Sequence, residues 1–216
     1  MGEPESLGGI EPLPAHLQRH AIDRLVMLSD GVFAISVTLA ALEIHLPEGA
    51  PSLDRLVHQM AAPLIAYLLS FLATGVFWVR HRDLFARLRR VDPVLTALTL
   101  ALLCMVALVP VAVSGVARNG GVPAYLAFYA AVVMGSGLMN AMAWIYASLR
   151  PGLMHDEVPM ADRWLRGGEA LMMPALFAPA LAVPAADLPR GLLVLALVLV
   201  AVRRFVLPRV ARYMSG

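Results

Sequence analysis

"RLVMLSDGVFAISVTLAAL", residues 24–42, is the stretch that decides the fold class. It is long and apolar enough to cross the hydrocarbon core of a bilayer as a helix rising about 1.5 Å per residue. Yet Arg24 and Asp30 sit in its first third. A carboxylate at membrane depth is costly unless it faces a partner or a wet cavity. Arg24 and Asp30 are six positions apart, so they are not one-turn neighbours on the helix. The partner of Asp30 is therefore expected on another helix.

The surrounding sequence has the same character. Of 216 residues, 60% are hydrophobic and 15% charged, and the mean hydropathy is +0.75. Apolar runs at roughly 25–46, 60–80, 94–116, 123–148, 169–186 and 190–208 predict six transmembrane helices in an all-α polytopic membrane protein. The fifth run carries Pro174, Pro179 and Pro184 and must kink, its freed carbonyls satisfied by neighbours or water. Residues 1–13, acidic and rich in Pro and Gly without an apolar core, read as a flexible tail and not as a signal peptide. Residues 14–216 then form a single membrane domain.

Every basic residue is arginine, and their placement predicts the topology. With six spans, Arg19, Arg24, the cluster from Arg80 to Arg90, Arg150, Arg163, Arg166 and the four arginines from Arg203 onward share one side. That is 14 arginines, against Arg55, Arg118 and Arg190 on the other. The positive-inside bias puts both termini in the cytoplasm. A formal net charge of +2 gives no reason to expect nucleic-acid binding.

Chemistry-bearing motifs are few. There is no TVGYG-like filter loop, no regular arginine repeat of a voltage sensor, and no GxSxG, P-loop or GxGxxG. The histidines form no HExxH motif, and "HDE" at 155–157 reads as a solvated loop. Cys104 lies alone in an apolar run, which points to packing. "GSGLMN" at 135–140 offers small residues for close helix packing, with Asn140 available to bond across helices. Nothing here suggests an enzyme or a metal cofactor.

At about 100° per residue, Leu28, Gly31, Ile35, Leu39, Leu42 and Leu46 fall on one stripe of the first helix, with Thr38 at its edge. Ser29, Phe33, Ser36, Ala40 and Glu43 lie on another face, and Asp30 farther round. By periodicity alone the stripe faces lipid or packs.

"RLVMLSDGVFAI" resembles the signature of the transmembrane-protein-175 family of potassium channels. Arg24, Ser29, Asp30, Ala34, Ile35, Thr38 and Leu39 match at the same spacing, with Leu28 where the family has phenylalanine. "SFLATGVFWVRHRDLF" is similar to a second family segment through Ser70, Phe71, Trp78 and His81. "DPVLTALTLALLCMVALVP" is similar to a third, keeping Asp92 and Pro110 but with Thr99 for the usual asparagine and Val111 where phenylalanine is common.

The resemblance implies a homotetramer of six-helix subunits around a central pore lined by the first helix of each. It implies a prokaryotic plasma-membrane location, potassium as the permeant ion and no further cofactor. Ile35 would form the hydrophobic constriction, Leu39 and Leu42 would continue it, and Thr38 would lie just behind. Arg24, Ser29, Asp30, Trp78 and His81 would form a structural polar network in which the indole and imidazole N–H groups can donate to the carboxylate. Such a pore predicts moderate selectivity and no steep voltage dependence. Two rival readings are a proton leak on the same fold and a non-conducting scaffold or carrier.

Overall fold

The computed structural model describes residues 15–46, 49, 52–119, 122–177 and 204. Seven helices follow in order: α1 (Ala15–Leu42), α2 (Leu53–Phe85), α3 (Pro93–Ala107), α4 (Val109–Asn119), α5 (Pro123–Leu149), α6 (Met160–Ala170) and α7 (Met172–Phe177). Among the described residues four stretches are long and apolar enough to cross a membrane: Gln18–Leu42, Pro63–Phe85, Pro93–Asn119 (α3 with α4) and Pro123–Leu149. The protein is an all-α, multi-pass membrane protein. The expected fifth span is described only as far as Phe177. The expected sixth span, Arg204 apart, and the expected tail 1–13 lie outside the described residues.

Local chemistry explains the boundaries. Asp92 caps α3, its carboxylate accepting the Leu95 N–H at 2.8 Å, and Pro93 supplies a first-turn residue with no N–H to satisfy. Pro123 opens α5 in the same way. The third span, expected to be continuous, turns at Leu108. Pro110 is the cause, because its ring cannot donate to the carbonyl four residues earlier and crowds the preceding turn.

The core is built around α5, which packs against α3, α4, α6 and α7. Its buried face combines small residues, Ala130, Ser136, Gly137, Ala141, Ala143 and Ala147, with Val132, Val133, Asn140 and Trp144. Small residues let helix backbones approach closely where hydrophobicity alone drives no association. Gly137 illustrates this, since a Cβ there would sit 2.7 Å from the Pro174 ring of α7. Cys104, expected to pack, instead lies exposed on α3.

At the arginine-rich end the α2–α3 and α5–α6 loops are strapped together. Leu88 and Met154 form an isolated β-bridge, with the Arg89 N–H donating to Leu153 O at 2.8 Å and the His155 N–H to Arg87 O at 3.0 Å. The sequence reading places no element between 148 and 169, yet α6 forms there. Its charges are held by the end of α2: Arg87 to Asp162 at 2.9 Å and Arg166 to Asp83 at 3.4 Å.

Candidate functional site

One face of α1 is buried: Leu25, Ser29, Phe33, Ser36 and Ala40, with Ser29 at 0% and Ser36 at 2% exposure. Leu28, Ile35, Leu39 and Leu42 stay exposed, Ile35 at 58% and Leu42 at 73%. Two serines point into the subunit, and the apolar stripe points out of it beside the exposed Asp30 and Thr38.

The buried hydroxyls are satisfied. Ser29 Oγ donates to the Leu25 carbonyl at 2.7 Å, within its own helix. Ser36 Oγ instead crosses to α3 and donates to the Val106 carbonyl at 2.6 Å. Thr38 Oγ1, at the edge of the stripe, donates to the carbonyls of Ala34 and Ile35 at 3.1 and 3.0 Å. Its proton is thus held by the helix, and the oxygen lone pairs face outward.

Asp30 finds its partner on α2, as the six-residue gap to Arg24 requires. Trp78 Nε1–H donates to Asp30 Oδ1 at 2.7 Å, and the Arg82 guanidinium lies 5.2 Å from the centre of the same indole ring. A cation over an aromatic face is attracted by its quadrupole, so Asp30, Trp78 and Arg82 form a stack. Asp30 sits at one end of an apolar cleft of about 370 Å³ between α1 and α2, lined by Phe33, Val37, Phe71, Thr74 and Trp78.

Of the other three members expected in this network none hydrogen-bonds Asp30, Ser29 being held by its own helix. Arg24 is exposed, and no contact with Asp30 is present among the described residues. The His81 ring is buried between Phe33 and Phe85, at centroid distances of 5.8 and 4.4 Å, and its Nε2 has no hydrogen-bond partner among the described residues. Thr99 Oγ1 and the Asn140 amide are likewise buried without partners there. Arg82 is a member that the sequence reading misses. Its position four residues after Trp78 is the available signal, since i and i+4 share a helix face.

A second polar contact holds the far end of α1. Glu43 accepts from Ser114 Oγ at 2.6 Å and from Arg118 at 3.1 Å. The Ser114 hydroxyl foremost, with help from Arg118 and against some desolvation, holds the Glu43 carboxyl below the usual range. Among the described residues, no group of three His, Cys, Asp or Glu side chains is placed to hold a metal ion.

The arrangement is an outward apolar stripe on a helix fixed from behind by hydrogen bonds. Residues 24–110 match the family described as the endosomal/lysosomal potassium channel TMEM175. A potassium channel of Streptomyces collinus is 42% identical over 90 residues, which cover 40% of this chain and 43% of that protein. The endosomal/lysosomal proton channel TMEM175 of Gallus gallus is 28% identical over 142 residues, 64% of this chain and 28% of that protein. The match thus spans less than half the length of these relatives. The crystal structure of a lysosomal potassium-selective channel TMEM175 homologue from Chamaesiphon minutus shares the fold. Its TM-score is 0.67 at 23% identity, over 84% of this chain and 97% of that one.

Proposed function

We propose, taking as premise that the chain belongs to the TMEM175 family through residues 24–110, that it is a potassium-permeable cation channel with α1 lining the conduction pathway. The family is one of ion channels, not of enzymes. The observation that carries the reading is the exposed apolar stripe of α1: Ile35, Leu39 and Leu42 are left uncovered while Ser29 and Ser36 are buried inside the subunit.

Several copies of the chain around an axis, four by the resemblance, bring these stripes together in the plasma membrane. A ring of Ile35 side chains dewets when narrow and blocks ions without carrying charge. When the ring widens, partly hydrated cations pass, and the ion with the cheaper dehydration is favoured. The Thr38 oxygens, with their protons turned back onto the helix, add a dipole of the right sign for a cation. Asp30, Trp78 and Arg82 anchor α1 against α2 rather than coordinate the permeant ion.

The test is potassium against sodium flux into liposomes carrying the purified protein, wild type beside Ile35→Asn. A potassium preference that collapses in the variant is expected. Absence of flux from correctly folded wild-type protein, or a preference untouched by Ile35→Asn, would overturn the assignment. Because relatives named as proton channels match over 64% of the chain, reversal potentials in separate pH and potassium gradients decide between proton and potassium as the main charge carrier.

A further inference from the structure

We propose that Ser36 and Glu43 are positioning residues for the conduction pathway. They fasten α1 to the third span once on each side of its proline break, and so set the rotation at which Ile35, Leu39 and Leu42 are presented. The inference rests on the channel reading for the role of the stripe, but the two clamps stand on geometry alone.

Pro110 has no N–H, so the carbonyl of Val106, four residues earlier, loses its helical donor. An unsatisfied carbonyl inside a bilayer is expensive. The Ser36 hydroxyl supplies the missing donor at 2.6 Å, from a side chain only 2% exposed. Ser29, Ser136 and Ser148, by contrast, each donate to the carbonyl four residues back on their own helix. Ser36 does not, because the proline break provides a stronger need across the interface.

Two turns farther along the same face, Glu43 accepts from Ser114 at 2.6 Å and Arg118 at 3.1 Å. Val106 lies four residues before Pro110 and Ser114 four residues after it. One clamp therefore grips α3 and the other grips α4. Ile35 and Ser36 are adjacent, about 100° apart around the helix. Any rotation of α1 that moves Ile35 pulls the Ser36 hydroxyl from Val106. A change in the bend at Leu108 displaces one clamp relative to the other and turns α1 with it.

The experiment pairs Ser36→Ala with Pro110→Ala, with Ser36→Thr retaining the hydroxyl. Two quantities are read: the carbonyl carbon shift of Val106 by solid-state NMR in lipid, and potassium against sodium flux in liposomes. In the wild-type background Ser36→Ala is expected to move the Val106 signal and lower potassium flux by roughly fivefold, the weight of one hydrogen bond. Ser36→Thr is expected to preserve both. In the Pro110→Ala background the backbone N–H restored by the substitution donates to Val106, so Ser36→Ala should change neither. Ser114→Ala, which alters no charge, should lower flux in the same direction through the outer clamp.

If the Val106 signal moves and flux does not, or if Ser36→Ala acts equally in both proline backgrounds, the positioning role is refuted while the channel reading stands. An unmoved Val106 signal refutes the inner clamp itself. Wild-type protein without flux overturns the channel reading and this role together.

Discussion

Replacing Gly137 by alanine should destabilise the protein, whereas the same change two residues earlier should not. A Cβ at Gly137 would stand 2.7 Å from Pro174 Cδ, 2.9 Å from Cγ and 3.2 Å from the Pro174 nitrogen. Carbon atoms in favourable contact sit about 3.5–4.0 Å apart, so α7 must retreat by about 1 Å. A proline ring and a backbone nitrogen cannot swing aside, and overpacking of this kind costs about 1–3 kcal/mol. The gain from replacing glycine by alanine inside a helix offsets up to ~1 kcal/mol of that. At Gly135 the added carbon meets only Met105, at 3.2 Å from Sδ and 3.7 Å from Cγ. That flexible side chain can rotate away, and the helix-propensity gain should dominate. Thermal unfolding of both variants in one detergent gives the comparison, with about 2–4 °C expected per kcal/mol. Gly137→Ala melting at or above Gly135→Ala would refute the reasoning, and with it the close approach of α5 and α7.

Three further outcomes are expected. Trp78→Phe keeps a ring against α1 but removes the donor to Asp30, and should lower the melting point by the equivalent of at most about 1 kcal/mol, given the exposure of the carboxylate. Adding Asp30→Asn should then recover part of the loss, and an unchanged melting point in Trp78→Phe would count against the contact. Asp92→Ala removes the α3 cap and the acceptor of the Tyr146 hydroxyl, at 2.6 Å. It should cost about 1–2 kcal/mol and accelerate exchange of the Leu95 amide, whereas Tyr146→Phe should leave that amide protected. Glu43 titrates below the ordinary carboxylate range when folded. Its contribution to stability is therefore complete above the unfolded carboxyl's pKa and is lost as pH falls through the lowered folded value. Infrared titration of wild type against Glu43→Gln should show the carboxylate surviving mild acid, and protonation at the ordinary value would contradict it.

Much of the bundle is visible in hydropathy because the bilayer demands a long apolar run for each crossing. The fourth span, expected at 123–148, is found as Pro123–Leu149. Hydropathy alone does not mark the start of α1, described from Ala15, ten residues before the apolar run, since its first turns are polar. The helix α6 escapes the sequence reading for a related reason. Asp162 and Arg166 look like loop until their partners at and just after the end of α2, Arg87 and Asp83, are known. Within the site, the stripe of Ile35, Leu39 and Leu42 follows from helical period alone. The choice of Trp78 over His81 as the donor to Asp30 does not, because it depends on how α2 is rotated against α1. The bond from Ser36 to Val106 joins residues 70 positions apart, which no local pattern can pair.

The strap between Leu88 and Met154 bears on how the chain is made. Its two halves leave the ribosome more than 60 residues apart, so the first loop waits with its edge open until the next two crossings have been inserted. The bonds of Arg89 to Leu153 and His155 to Arg87 can close only if both loops have ended on the same side of the bilayer. A crossing inserted backwards leaves the strap open and strands Arg166 of α6 away from Asp83. The strap is thus a latch that can shut only on helices threaded in the same sense.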